Sequence, residues 1–233
     1  MENIYLLAGT HKGAFILQSD RDRKKWEMKG PFFRGTDIHH FVVDIRQNPT
    51  FYACVNNPWW GCSLQMSQDF GETWQEPQVP PGFAEDSQHS LKRIWQITIA
   101  EPNQPGVLYA GVDPAALFKS EDGGQSWREI ESLTTHATRD RWAPGAGGMM
   151  VHSIVLHPDD ANKIKVGISA AGMFCSEDGG ETWEPRNKGV LADFLAEKYP
   201  EVGQCVHRLQ AHREKPEVLY QQNHCGVYRS DNG

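Results

Sequence analysis

Short apolar runs bounded by Gly, Pro, Asp or Asn recur along the chain at a regular interval, the pattern of brief β-strands separated by turns. Aligned on one another, they fall into sets. Phe41–Val43, Ile97–Ile99, Ile154–Leu156 and Leu209–Ala211 predict a first strand. Phe51–Val55, Val107–Gly111, Ile164–Ile168 and Val218–Gln221 predict a second, and Ser63–Met66, Ala116–Lys119, Gly172–Cys175 and Gly226–Arg229 a third. A fourth strand begins at a tryptophan, as in Trp127–Ile130. The N-terminus enters this scheme one strand late: Tyr5–Ala8 matches the second strand and Ala14–Leu17 the third.

Between the third and fourth strands a phrase repeats. It reads Ser67-Gln-Asp69-Phe-Gly71-Glu-Thr73-Trp74, then Ser120-Glu-Asp122-Gly-Gly124-Gln-Ser126-Trp127, then Ser176-Glu-Asp178-Gly-Gly180-Glu-Thr182-Trp183. Ser19-Asp20 with Trp26 is a degraded copy, and Ser230-Asp-Asn232-Gly233 begins another. The four serines from Ser67 onward are 53, 56 and 54 residues apart. A period near 50 residues holding three or four strands describes a propeller blade. Asp can accept backbone N–H groups across a tight turn, Gly supplies positive φ, and Trp supplies apolar burial between sheets. Asp69, Asp122 and Asp178 are therefore structural. The expected fold is an all-β propeller, about four blades of a six- or seven-bladed ring. It forms one domain over 1–233, with units near 1–36, 37–89, 90–149, 150–203 and an incomplete 204–233.

Composition narrows the function. Eight Trp and ten Phe can fill a core, and 22 Gly with 14 Pro suit a chain rich in turns. The net charge is -7 with dispersed basic residues, so no nucleic-acid footprint is expected. No run of eighteen apolar residues occurs, which argues against a membrane partner. Five cysteines without a Cys-x-x-Cys pair, and an N-terminus that reads as a strand, make the cytoplasm the expected location.

The repeated phrase resembles the Asp-box, or BNR repeat, of the sialidase-like propellers. Longer stretches resemble bacterial proteins labelled exo-alpha-sialidase or BNR-like glycosyl hydrolase. They are Leu91–Gln96, Arg141–Gly148 with His152–Ile154, and Gly203–Arg208 with Gln221–Gly226. The resemblance implies a propeller that binds or hydrolyses a glycan or small polar ligand at the face opposite the Asp-boxes. The alternative is a non-catalytic scaffold for a protein or ligand partner. Sialidases also carry an Arg-Ile-Pro segment; here Arg93-Ile94 runs into Trp95, a departure that counts against sialidase activity itself.

Strand alignment places His39, Trp95, His152 and His207 at one position, followed by His40, Gln96, Ser153 and Arg208. Asn57 and Trp59, beside Trp60, and His224 sit on second-to-third-strand connections, while Arg93 and Arg141 precede or lie near first strands. Long insertions at 77–93, 131–151 and 186–206 lead into the first strands. The expected ligand-binding set is thus His39, Asn57, Trp59, Arg93, Trp95, Arg141, His152, His207, Arg208 and His224. Glycoside hydrolysis needs two carboxyl groups, for which Asp37, Asp113 and Asp140 are the candidates. No cofactor is expected, and no His-x-His or His-Glu-x-x-His spacing marks a metal site. Cys205 and Cys225 read as small core fillers on adjacent strands.

Overall fold

The computed structural model describes residues 3–101, 103–145 and 147–233. Seventeen strands among them form five antiparallel sheets, each a meander in chain order. The first sheet is β1 (Ile4–Thr10), β2 (Gly13–Ser19) and β3 (Glu27–Phe32); the second is β4 (Asp37–Asp44), β5 (Thr50–Asn57) and β6 (Gly61–Ser67). The third holds β7 (Arg93–Ile99), β8 (Leu108–Asp113), β9 (Ala116–Ser120) and β10 (Arg128–Glu129). The fourth holds β11 (Val151–Leu156), β12 (Ile164–Ile168), β13 (Gly172–Ser176) and β14 (Glu184–Pro185). The fifth is β15 (Val206–His212), β16 (Lys215–Asn223) and β17 (Gly226–Ser230).

The fourth strand of the second sheet shrinks to one bridge, Met66 to Gln75. The insertion at 131–151, expected as a loop, carries a short helix α1 (Glu131–Thr134) and a 3₁₀ turn (Arg139–Arg141). Among the described residues no helix is long and apolar enough to cross a membrane. All five cysteines are free.

The first strands β4, β7, β11 and β15 lie side by side, and each second strand packs on the first strand of the next sheet. Four apolar clusters fill the four gaps between consecutive sheets. Alternation along one strand serves two gaps: Phe51, Ala53 and Val55 face the first sheet, Tyr52 and Cys54 the third. Sheets covered on both faces explain why every residue of β8 is buried. Gly9 in β1 and Gly111 in β8 play one part, since a Cβ on either would strike a backbone oxygen, of Ile38 and Val151 respectively. That equivalence identifies β1 as a second strand, matching the late entry read from sequence.

Each Asp-box is a closed hydrogen-bond loop. Ser67 Oγ donates to Asp69 Oδ1 at 2.8 Å and accepts from Gly71 N at 2.9 Å, while Thr73 N and Oγ1 donate to the same carboxylate at 2.9 and 2.6 Å. The same bonds recur around Asp122 and Asp178. Trp74 and Trp127 donate from Nε1 to the box glycine carbonyl at 3.1 and 2.9 Å. In the third box Ser132 of α1 intervenes, accepting from Trp183 Nε1 at 3.1 Å and donating to Gly180 O. Gly71 and Gly124 combine φ of 86° and 88° with a Cβ position against Phe32 and Tyr52 of the preceding sheet, so a side chain there meets strain and a clash together. The acidic periodic residues are thus committed to structure.

Candidate functional site

Alternating strand direction puts two features at the end of each sheet away from its Asp-box: the start of the first strand, and the hairpin joining the second and third. The hairpin tips are 10–13, 57–61, 113–116, 168–172 and 223–226. Just inside this end every first strand carries a β-bulge at one height. His39 is unpaired between the pairs Ile38–Val55 and His40–Cys54, and Trp95 between Ile94–Val112 and Gln96–Gly111. His152 is skipped between Val151–Ile168 and Ser153–Gly167, and His207 between Val206–Asn223 and Arg208–Gln222. The four residues aligned from sequence are therefore the four bulge residues. A bulge frees its side chain from the pleat and re-aims it.

Around the second and third sheets the bulges meet. The His39 and Trp95 rings stack at 4.8 Å with 21° between planes. His39 Nε2 lies 3.4 Å from Asp37 Oδ2, and Asp37 Oδ1 is 2.9 Å from Nδ1 of His11 on the β1–β2 tip. Burial lowers the His39 pKa, Asp37 raises it, and the Arg93 and His11 charges lower it further. Arg93 is the cross-strand partner of Asp113. Asp113 is buried, and loss of solvent raises its pKa against the pull of Lys92 and Arg93. Gly148 (φ 95°), from the 131–151 insertion, sits against that carboxylate: a Cβ there would lie 3.2 Å from Asp113 Oδ2.

The other predicted residues divide. His152 is buried with both ring nitrogens engaged, Nε2 donating to Val206 O and Nδ1 bonded to Ser153 Oγ at 3.0 Å. It ties two sheets together, as do Ser153 Oγ, accepting from Leu209 N at 3.0 Å, and His40 Nδ1, accepting from Ile97 N at 3.3 Å. His207 and His224 meet edge to face at 4.5 Å. Arg208 lines a groove of about 420 Å³ between first strands, with Gln96 and Ile154. Arg141 pairs with Glu201 at 2.5 Å on the surface, and Asp140 is exposed on the 3₁₀ turn beside it.

Asn57 Oδ1 accepts from Trp59 N and Trp60 N at 2.8 and 3.2 Å, which shapes the tip. Those tryptophans are 85% and 87% exposed, so neither packs between blades. The cysteine expectation needs correcting. Cys225 Sγ donates to Asp193 Oδ1 at 3.1 Å, and Cys205 stands beside His207 and His224 instead of filling core. His11 was missed; only its place on a hairpin tip equivalent to 57–61 could have flagged it.

Acid should unfold the protein in two stages. Burial, with Arg208 nearby, lowers His40 to about 4, and burial likewise lowers His152 to about 4. A lowered folded-state pKa gives stability that is present above the unfolded value and lost as pH falls through the folded one. The imidazole stage thus runs from about 6.5 down to about 4. The box stage follows from about 4 down to about 2, because hydrogen bonds from Thr73 and Thr182 hold Asp69 and Asp178 at about 2. Thermal midpoints against pH should show both, and Asp178→Asn should flatten only the lower one.

The BNR/Asp-box repeat family matches residues 174–185. The chain is 26% identical over 122 residues to an oligoxyloglucan-reducing end-specific xyloglucanase of Emericella nidulans, covering 51% of this chain and 14% of that protein. It superposes on the GH74 enzyme of Niastella koreensis with a TM-score of 0.61 at 18% identity, covering 96% of this chain and 35% of the other. For YCF48 from Cyanidioschyzon merolae the TM-score is 0.58 at 12% identity, over 97% of this chain and 63% of that one. The chain therefore spans less than two thirds of each. Repeat, sheet order and structural likeness agree: the chain carries the BNR/Asp-box repeat on a β-propeller fold.

Proposed function

We propose that the chain is part of a glycoside-hydrolase-like propeller whose bulge-bearing end binds a glycan, of the xyloglucan type, and hydrolyses it. The observation that carries this reading is the grouping of Asp37 and Asp113 about one cluster. Asp37 touches His39, His39 stacks on Trp95, and Arg93 lies within electrostatic reach of both His39 and Asp113. Two carboxyl groups in different surroundings are what glycoside hydrolysis needs. Asp113, its pKa raised by desolvation, suits the general acid that protonates the leaving oxygen. Asp37 is the second carboxyl group. Trp59 and Trp60 offer exposed flat rings on which a sugar can stack.

The test uses the full-length protein with xyloglucan oligosaccharides, following new reducing ends. Asp113→Asn and Asp37→Asn should each lower kcat by about 10²–10⁴-fold. Trp59→Ala should raise KM with kcat kept, the mark of lost uniform binding. Turnover unchanged in both carboxylate variants would refute the assignment. A second reading, a non-catalytic scaffold for a protein or ligand, draws on the same exposed tryptophan pair. It predicts oligosaccharide or protein binding that is lost in Trp59→Ala while no bond is cleaved.

A further inference from the structure

We propose that Cys205, His207 and His224 form a metal site for a borderline transition ion, with Zn²⁺ as the reference, leaving a fourth position open to water or a ligand. One donor atom from each residue lies within 4.8 Å of the other two. Around a tetrahedral Zn²⁺ such donors stand about 3.3–3.6 Å apart, given metal–ligand bonds of about 2.0–2.3 Å. The donors would draw together by roughly 1 Å, a movement that side-chain rotation can supply.

The fold explains why these three meet. Val206 pairs with Asn223, so Cys205 and His224 are the next residues outward on two paired strands. His207 is the unpaired bulge residue two positions from Cys205, and the bulge re-aims its ring toward the other two. Asn223 is buried, and its Oδ1 accepts from Cys225 N at 2.8 Å, which fixes the turn that presents His224. The Phe194 ring walls His224 edge-on at 5.8 Å.

The surroundings suit ligation. The Gln222 side-chain amide lies 3.3 Å from His207 Nδ1. Its Nε2 donates to Asn223 O at 3.1 Å, which anchors the amide against the His207 ring. Among the described residues neither the Cys205 thiol nor a His224 ring nitrogen takes part in a hydrogen bond. One sulfur with two imidazoles selects Zn²⁺, Co²⁺ or copper over Mg²⁺ and Ca²⁺, which prefer oxygen. Binding releases the Cys205 thiol proton to solvent, and the two imidazoles bind neutral, so no redox partner is involved. The site does not depend on the glycan reading.

The test titrates Co²⁺ and then Zn²⁺ into metal-stripped full-length protein. Wild type should take up one Co²⁺ with thiolate-to-metal charge-transfer absorption and intense visible bands, both abolished by Zn²⁺. Cys205→Ser should remove the charge-transfer band, and His207→Ala and His224→Ala should each weaken Zn²⁺ binding by at least about tenfold. Cys225→Ser is the thiol control and should behave as wild type, because that thiol is bonded to Asp193. All three ligand positions are partly or fully exposed, so folding should survive, which thermal melts of the metal-free variants check. Absence of saturable one-to-one binding would overturn the site. So would a charge-transfer band that persists in Cys205→Ser or vanishes in Cys225→Ser.

Discussion

Trp127→Ala is expected to lower the stability of the chain by about 3–5 kcal/mol, the usual cost of emptying a large aromatic site in a core. Trp127 is 6% exposed and packs in the cluster between the second and third sheets with Tyr52, Met66 and Phe118. Its loss opens a cavity between the two sheets, and it strips Gly124 O of the indole donor at 2.9 Å. Trp26, in the degraded first copy, is 39% exposed, so Trp26→Ala should cost about 1 kcal/mol or less. Urea midpoints at constant m-value measure both. Equal shifts would mean that the box tryptophan is not what joins neighbouring sheets.

A comparable loss, about 3–5 kcal/mol, is expected for Arg46→Met, which leaves a buried carboxylate unpaired. Arg46 and Asp44 side chains are 9% and 13% exposed and pair at 2.7 Å. The same guanidinium donates to Ala100 O, Gln104 O and Val107 O at 3.0, 2.7 and 3.2 Å, tying the second sheet to the connection that leads into β8. Burial raises the Asp44 pKa, but the Arg46 hydrogen bonds and charge outweigh it and the net shift is downward. In wild type this contribution is present above the ordinary carboxylate range and lost as pH falls through the lowered value. In Arg46→Met only burial remains, so Asp44 would resist ionising. The deficit relative to wild type should therefore shrink as pH falls and Asp44 takes up a proton. Adding Asp44→Asn should recover part of the loss at neutral pH. A deficit independent of pH would show that the carbonyl contacts, not the ion pair, carry the energy.

The architecture was legible because the repeat encodes it locally. Ser, Asp, Gly and Trp each satisfy a bond or a φ within one turn, so counting phrases counted sheets and placed three strands in each of the last four. The fourth strands were harder to read. They shrink to Arg128–Glu129, Glu184–Pro185 and a single bridge at Gln75, because an edge strand needs little sequence to pair. Of the site, sequence yielded the shared height of His39, Trp95, His152 and His207 but not their separate fates. That His152 turns in to bond Val206 O depends on the sheet packed beside it, a non-local fact. Cys205 read as a core filler because its partners are a bulge and a hairpin tip. The register that joins them is set seventeen residues away, at Asn223 opposite Val206.

The recurring bulge makes the end of each sheet editable. A residue outside the ladder holds no rung of its own sheet in place, so one blade can exchange an imidazole for an indole, as the second and third sheets do, and keep its pleat and its box. What the rim presents can accordingly change by a single letter per blade.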